Sequence, residues 1–235
     1  MCHRVLDAGV GAGQAEAVNM SDKPICYDLY CGLGGWAEGF MAEGYECIGF
    51  DIEAHDYGTG GYPGELRIRD VRSIHGSELK DATCIVGSSP CQEFSYRAMP
   101  WKRAKALPPP YLGMELFNAQ FRIQREASEA AGRYIPMVVE NVRGAQKWVG
   151  RAAWNYGSFY LWGDVPALMP LEMAVKGMGI GSVSWAQGKG QRNPNDPRNF
   201  YSTSPKRKMA SAIIAKIPFP LAQYLAKCFK SQTGE

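Results

Sequence analysis

The sequence predicts an α/β fold built on a doubly wound, mostly parallel sheet with helices on both faces. Short apolar runs alternate with helical patterns from residue 25 to about residue 165, and a glycine-rich turn follows the first run. Such alternation is typical of parallel strands that are joined by crossover helices. Hydrophobic residues make up 46% of the chain and charged residues 21%, which is the balance of a globular protein.

Five short apolar runs have the length of buried strands and end at a turn or a polar residue. They are Ile25–Tyr30, Cys47–Phe50, Ile68–Val71, Thr83–Gly87 and Ile135–Val139. Helices are expected where apolar residues recur at helical spacing. They cover Trp36–Ala42, Met114–Ala131 and a closing helix that begins at Pro220.

Composition divides the chain into four expected segments. Residues 1–22 are small and polar, which predicts a flexible leader, and residues 23–165 carry the alternating pattern of the main domain. Residues 166–205 are rich in Gly, Asn, Pro and Ser, and a long irregular stretch of this kind is usually functional or disordered. Residues 206–235 are expected to return to the main domain.

Composition also argues against several classes of protein. No run of eighteen apolar residues exists and the first twenty residues lack an apolar core, which argues against a membrane span and a secretory signal. Seven cysteines without a Cys-x-x-Cys pair, and only three histidines, argue against a disulfide framework and a metal site. We expect a monomer without a metal, in the reducing cytoplasm; the net charge of +3 permits nucleic-acid binding.

A glycine-rich turn after the first strand is the first candidate site. Gly32, Gly34 and Gly35 lie between the first strand and the first helix, and Asp51 ends the next strand 19 residues after Gly32. Glycines there allow a tight turn and close approach of a ligand, and an acid at this spacing typically binds ribose hydroxyls. The full Gly-x-Gly-x-x-Gly pattern is missing, which favours S-adenosylmethionine over NAD; a turn without a ligand is the alternative.

A cysteine and a carboxyl group follow two later strands. Cys91 comes just after the fourth strand, in a loop stiffened by Pro90. A thiol near helix ends and Arg97 is expected to be partly ionised, and the thiolate is the nucleophile; an ordinary core cysteine is the alternative.

Glu140 ends the fifth predicted strand. A carboxyl group there, with a pKa raised by burial, can deliver a proton near pH 7, whereas a helix cap or an ion pair is the alternative. The glycine-rich turn, Cys91 and Glu140 all fall at the carboxyl ends of strands. They are therefore expected to meet at one crevice.

Three motifs, in their order along the chain, resemble the family of DNA cytosine-C5 methyltransferases. They are Asp-Leu-Tyr-Cys-Gly-Leu-Gly-Gly at 28–35, Pro-Cys-Gln at 90–92 and Glu-Asn-Val at 140–142. The resemblance covers residues 25–163 and, more loosely, 206–229. It implies a Rossmann-like methyltransferase fold in which residues 166–205 form a reduced target-recognition region.

The resemblance implies transfer of a methyl group from S-adenosylmethionine to C5 of a cytosine in duplex DNA. The cytosine is flipped out of the stack, Cys91 attacks C6, and Glu140 protonates N3. Asn141 is implied to orient Pro90 and the loop. Such an enzyme is expected in the cytoplasm of a bacterial or phage-infected cell.

Two groups of binding residues follow from the same resemblance. The residues implied to hold the cofactor are Asp28, Tyr30, Cys31, Gly32, Leu33, Gly34, Gly35, Asp51, Ile52, Asp70, Val71 and Ser89. The residues implied to contact DNA are Gln92, Ser95, Arg97, Trp101, Lys102, Arg103, Arg143, Lys189 and Arg192. Residues 93–110 match the family's mobile catalytic loop, and its basic residues are implied to close on DNA phosphates.

Two departures from the family pattern affect the expected function. Gly157–Gly163 stands where the family has a Gln-x-Arg-x-Arg motif and contains no arginine. Arg143 and Arg151 are the candidates for its replacement. Residues 166–205 can make few base contacts, so the target is expected to be short or loosely specified.

Three other functions stay open at this point. A non-catalytic relative that binds DNA or cofactor is consistent with the missing arginines, but it has no use for Cys91 and Glu140. A tRNA cytosine-C5 methyltransferase fits the same motifs and the short recognition region. A nicotinamide-dependent oxidoreductase fits the sheet but leaves Cys91 and Glu140 unexplained.

Overall fold

One seven-stranded sheet forms the centre of the computed structural model, which describes residues 23–58, 60–95, 108–169 and 205–232. The strands are β1 Ile25–Leu29, β2 Glu46–Asp51, β3 Glu65–Ile68, β4 Cys84–Ser88, β5 Met137–Asn141, β6 Trp154–Tyr156 and β7 Phe159–Gly163. Their order in the sheet is β3-β2-β1-β4-β5-β7-β6. Strands β1 to β5 pair in parallel, whereas β7 is antiparallel to β5 and β6 is antiparallel to β7. The predicted doubly wound, mostly parallel α/β fold is confirmed.

Five helices accompany the sheet in the described part of the chain. They are α1 Gly35–Ala42, α2 Tyr111–Ala131, α3 Gln146–Val149, α4 Pro205–Ala215 and α5 Phe219–Gln232. The three predicted helices are present, and α2 begins three residues earlier than its apolar spacing indicated. It ends at Gly132, whose left-handed backbone (φ 64°) terminates the helix.

The two faces of the sheet are covered by different helices. On one face, α1 packs against α5, whose inward side chains are completely buried: Leu221, Ala222, Leu225, Ala226 and Phe229. The two helices approach closely because Gly39 has no side chain, and a Cβ there would lie 2.4 Å from the Cβ of Ala222. On the other face, α2 buries Phe117, Ile123 and Ala127. The C-terminal helix α5 therefore shares a hydrophobic core with α1.

Three cysteine thiols form a row inside the first of these cores. Cys26 on β1 is in register with Cys47 on β2 and with Cys84 on β4, and all three are buried as free thiols. Burial and the two neighbouring thiols raise the pKa of Cys26 well above its ordinary value. They act as small hydrophobic residues of the core.

The third strand and the sheet edge differ from the prediction. β3 spans Glu65–Ile68 instead of Ile68–Val71, because the Asp70 side chain accepts a hydrogen bond from the Arg72 backbone N–H and starts a 3-10 turn at Val71. The hairpin of β6 and β7 extends the sheet beyond the five predicted strands. Its antiparallel direction follows from the two-residue turn between the strands.

The described residues bear on two further expectations. No single helix among them is long and apolar enough to cross a membrane, although the bent pair Lys208–Ala215 and Phe219–Lys230 passes the same test jointly. They also contain no group of three or more side chains suited to hold a metal ion. The leader 1–22 and most of the recognition region, residues 170–204, lie outside the described residues.

Candidate active site

The glycine-rich turn connects β1 to α1 through left-handed backbone positions. Tyr30 has φ 58°, an uncommon value for a residue with a side chain, and Gly32 and Gly34 have φ 49° and 68°. The turn is fastened to β2, since the Gly32 N–H donates to Asp51 Oδ2 at 3.0 Å. A strained residue that is held in this way often belongs to a ligand site.

A cavity of about 450 Å³ opens in front of this turn. Ten of the predicted site residues line it: Tyr30, Cys31, Gly32, Leu33, Gly35, Asp51, Ile52, Asp70, Pro90 and Gln92. Its volume lies in the usual range for small-ligand sites, about 300–1,000 Å³. The cavity lies where the carboxyl ends of β1, β2 and β4 meet. Cys91 and Glu140, which are expected at the same crevice, are not among the residues that line it.

Several residues of the cavity wall were not found from the sequence. They are Trp36, Glu53, His55, Arg72, Ser88, Leu112, Leu116, Ala212, Ala215, Lys216 and Ile217. Leu112 and Leu116 come from α2, and the last four come from α4 and the link to α5. The looser resemblance over residues 206–229 was the available signal for the C-terminal group.

Asp51 has the hydrogen-bonding capacity that a ribose site needs. Its Oδ2 accepts from Gly32, its Oδ1 accepts from the Ile52 N–H at 2.8 Å, and His55 Nε2 lies 3.4 Å from Oδ1. Each carboxylate oxygen has two lone pairs, so these contacts orient the group and leave acceptor capacity toward the cavity.

Asp28 does not line the cavity, in contrast to the prediction. Its side chain is completely buried below the glycine-rich turn, and neither carboxylate oxygen has a hydrogen-bond partner among the described residues. Burial and the nearby Asp51 charge raise its pKa well above the ordinary value. Gly34, Val71 and Ser89 also lie outside the cavity wall; Val71 faces the core.

The loop that carries Cys91 is held by the end of β5. The side-chain amide of Asn141 donates to the carbonyl oxygen of Ser89 at 3.0 Å and to its hydroxyl at 3.1 Å. Asn141 Oδ1 accepts from the Val142 N–H at 2.8 Å, so the amide orientation is fixed. These contacts join the strand end that carries Glu140 to the segment immediately before Pro90 and Cys91.

Cys91 is half-buried at the start of a short 3-10 turn, Gln92–Phe94. Burial and the nearby Glu140 carboxylate raise the pKa of its thiol above the ordinary value. The sequence-based expectation of a partly ionised thiol is therefore wrong for the described surroundings. The basic side chain on which it depended, Arg97, lies outside the described residues.

Glu140 is buried at the carboxyl end of β5, with 8% of its surface exposed. Burial raises the pKa of its carboxyl group to about 8, and the nearby Ser88 hydroxyl acts in the opposite direction. A carboxyl group with this pKa is mostly protonated at pH 7, which is the state that proton delivery requires. Because its charge acts on the Cys91 thiol, the two groups are close enough to affect each other.

The residues predicted to contact DNA are only partly described. Gln92 lines the cavity, and Ser95 and Arg143 are exposed close to Cys91 and Glu140 along the chain. Arg97, Trp101, Lys102, Arg103, Lys189 and Arg192 lie outside the described residues.

The strand without the family's arginines is β7. It pairs directly with β5, and Leu161 is in register with Glu140. An apolar side chain therefore lies beside the carboxyl group on this strand. Arg143 and Arg151, the candidate replacements, are both exposed.

Comparisons with known proteins agree with these motifs. The S. pombe Dnmt2 methyltransferase structure is 14% identical, with a TM-score of 0.36, over 55% of this chain and 37% of that one. The Entamoeba histolytica methyltransferase EhMeth is 16% identical, with a TM-score of 0.37, over 53% of this chain and 40% of that one. The match thus spans about two fifths of their length, and no curated protein matches significantly. Residues 25–127 match the family model for C-5 cytosine-specific DNA methylases, so this part of the chain is similar to that family.

Proposed function

We propose that this chain transfers a methyl group from S-adenosylmethionine to C5 of a cytosine in DNA. The observation that carries the proposal is the pairing of a cysteine thiol with a buried acid. Cys91 follows β4, and Glu140 lies at the carboxyl end of the adjacent parallel strand β5. The Glu140 carboxylate raises the pKa of the Cys91 thiol. Two residues that flank Cys91, Pro90 and Gln92, belong to the wall of the cavity beside the glycine-rich turn.

The cavity fits S-adenosylmethionine by its chemistry. Asp51, Glu53 and Asp70 bring carboxylates to a wall that also contains basic and apolar side chains, and Asp70 is paired with Arg72 at 2.7 Å. Carboxylates accept hydrogen bonds from ribose hydroxyls and attract the positive charges of the cofactor, while Leu33, Leu112 and similar side chains suit its apolar parts. The bound cofactor supplies an electrophilic methyl group.

Glu140 provides the proton that makes attack by Cys91 productive. With a pKa of about 8 it is neutral at pH 7 and can donate to N3 of a flipped cytosine. Cys91 loses its thiol proton to water, its sulfur forms a bond to C6, and the electrons of the 5,6 double bond move toward C5 and the ring. A neutral Glu140 also removes a charge that opposes ionisation of Cys91.

The remaining steps restore the cysteine. The electron-rich C5 accepts the methyl group and the C5 proton is lost to water. Elimination of the Cys91 thiolate then regenerates the 5,6 double bond, while N3 returns its proton to the Glu140 carboxylate. The contacts from Asn141 to Ser89 hold the Cys91 loop throughout. Covalent catalysis of this kind divides one difficult step into easier ones.

Transfer of labelled methyl groups tests this function. The chain is incubated with methyl-labelled S-adenosylmethionine and either duplex DNA or tRNA. Cys91→Ala removes the nucleophile, and Cys228→Ala, on α5 and away from the cavity, is the matched control. We expect label at C5 of cytosine in DNA, lost in C91A and kept in C228A.

The other outcomes of this experiment discriminate among the alternatives. Label in tRNA alone would replace DNA by tRNA as the substrate. Cofactor binding without transfer to either nucleic acid would indicate a non-catalytic relative. A short or loosely specified target, a monomeric chain and a cytoplasmic location stay predictions; a long, strict target in bisulfite sequencing contradicts the first.

A further inference from the structure

Ser88 lies between the cofactor cavity and Glu140. It is the last residue of β4, and it is in register with Glu140 on the adjacent strand β5. Side chains of residues in register on neighbouring parallel strands point to the same face, so the Ser88 hydroxyl lies beside the Glu140 carboxyl group and lowers its pKa. Ser88 also belongs to the cavity wall, so one small side chain lies next to both halves of the candidate active site.

Trp36 fixes this hydroxyl from the opposite side. The indole Nε1–H of Trp36 donates to Ser88 Oγ at 3.0 Å. Trp36 is the second residue of α1, directly after the glycine-rich turn, and only 2% of its surface is exposed. A buried indole of this kind is rigid, so its N–H defines where the serine oxygen lies.

The donors and acceptors of Trp36, Ser88 and Glu140 determine which group donates to which. An indole N–H can only donate, so it occupies a lone pair of Ser88 Oγ. The single proton of that hydroxyl is then available to the Glu140 carboxylate, and its second lone pair can accept from the protonated form. Ser88 can therefore hold the carboxyl group in either protonation state.

We propose that Ser88, fixed by Trp36, is a positioning residue that holds the Glu140 carboxyl group in place for the flipped base. It also links that group to the wall of the cofactor cavity. The inference rests on the proposed function, because Glu140 acts there as the proton donor. Neither Trp36 nor Ser88 belongs to the three motifs that indicate the chemistry. Trp36 directly follows the first motif, and Ser88 lies two residues before the second.

The electrostatic surroundings of Glu140 make the proposal measurable. The titratable group that faces it is the Cys91 thiol, in the loop after β4. Among the described residues, burial and Ser88 account for the shift of the Glu140 pKa, and Ser88 lowers it. Loss of the hydroxyl removes a donor to the ionised carboxylate, so the pKa of Glu140 must rise further.

The experiment measures the pKa of Glu140 directly. ¹³C NMR of protein labelled at the glutamate side-chain carboxyl carbon follows the titration, and Glu140→Gln identifies the signal. Ser88→Ala is expected to raise the pKa by roughly half a unit to one unit, the worth of one hydrogen bond. Trp36→Phe, which keeps the ring in the core, is expected to shift it in the same direction by less, and Ser88→Thr to restore it.

A matched control separates positioning from general disturbance. Trp162 Nε1 donates to the Gly150 carbonyl at 3.0 Å, on the other face of the sheet. Trp162→Phe removes a comparable indole hydrogen bond and is expected to leave the pKa of Glu140 unchanged. An unchanged pKa in both S88A and W36F, or an equal shift in W162F, overturns the proposal.

Activity provides the second readout and keeps the two proposals distinct. In S88A the alkaline limb of the plot of kcat against pH is expected to move to higher pH, as the pKa of Glu140 does, while S88T is expected to give the same plot as the unaltered chain. If neither the unaltered chain nor any variant transfers methyl groups but the NMR shifts are as expected, the proposed function fails and the positioning role stands. If transfer is intact and the pKa is unmoved in S88A, the positioning role fails alone.

Discussion

The Asn141 side chain contacts two atoms of Ser89, the carbonyl oxygen at 3.0 Å and the hydroxyl at 3.1 Å, while both residues are buried. Ser89 precedes Pro90 and Cys91, and Asn141 follows Glu140. The distance between the candidate nucleophile and the candidate acid therefore depends on one amide group. Two hydrogen bonds in a buried site fasten the segment before Cys91 to the end of β5.

Asn141→Ala should destabilise the chain and separate Cys91 from Glu140. The substitution leaves the Ser89 carbonyl oxygen and the Val142 N–H without these partners, and buried groups left in this way cost about 1–3 kcal/mol. Urea unfolding measures the loss. Asn155→Ala, which removes an exposed amide contact to Gly157, should change stability by less than about 0.5 kcal/mol. Equal effects of the two substitutions would contradict the special position of Asn141.

The sequence motifs allowed the residues at the strand ends to be predicted, but fewer residues of the cavity wall could be predicted from them. Cys91, Glu140 and Asp51 each end or follow a parallel strand, and carboxyl ends of such strands always meet at one edge. The position of Asp28 was missed because alternation along β1 turns its side chain into the core below the turn. Whether such a residue faces the ligand or the core depends on register across the sheet, which local sequence does not show.

Contacts far apart in the chain were the hardest to predict. Lys216 reaches Glu38 at 2.6 Å across 178 residues, and Ile217 lies against Gly35. Trp36 and Ser88 meet across 52 residues. None of these three contacts leaves a local pattern, because each depends on how α1 packs against the rest of the fold.

Glu140→Gln should change how stability depends on pH. The folded pKa of about 8 lies above the ordinary value of 4.5, so between these values the folded chain keeps a proton that the unfolded chain has lost. Stability from this group is complete below about pH 4.5 and is lost as pH rises toward 8. Relative to E140Q, the unaltered chain should therefore lose up to about 1.4 kcal/mol per pH unit in this window.

Denaturant unfolding from pH 5 to pH 9 measures this difference. Glu129→Gln, at an exposed position of α2, is the matched control and should give a curve parallel to that of the unaltered chain. A stability difference between E140Q and the unaltered chain that stays constant with pH would show that Glu140 titrates normally in the folded state.

The same substitution should make Cys91 more reactive at alkaline pH. The ionised Glu140 carboxylate raises the pKa of the Cys91 thiol, so its replacement by a neutral amide should lower that pKa. Iodoacetamide reacts with the thiolate, and we expect alkylation of Cys91 at pH 9 to be roughly three to ten times faster in E140Q, which corresponds to a shift of about half a unit to one unit. Peptide mass spectrometry provides the rate. The rate at Cys228 on α5 should stay the same, and a parallel increase there would indicate unfolding instead.

Gly35→Ala should open the C-terminal side of the cavity. A Cβ at Gly35 would lie 2.5 Å from the backbone nitrogen of Ile217 and 2.7 Å from its carbonyl oxygen. Neither atom belongs to a flexible side chain, so the segment that links α4 to α5 must move away from the glycine-rich turn. Because Lys216 and Ile217 line the cavity, G35A should lower the melting temperature and weaken binding of S-adenosylmethionine at least tenfold, as measured by calorimetry.

Gly132→Asn is the matched control, since that left-handed position has no atom within 4 Å of a new Cβ and asparagine tolerates its backbone. If G35A binds the cofactor as tightly as G132N does, Ile217 does not form part of the cofactor site.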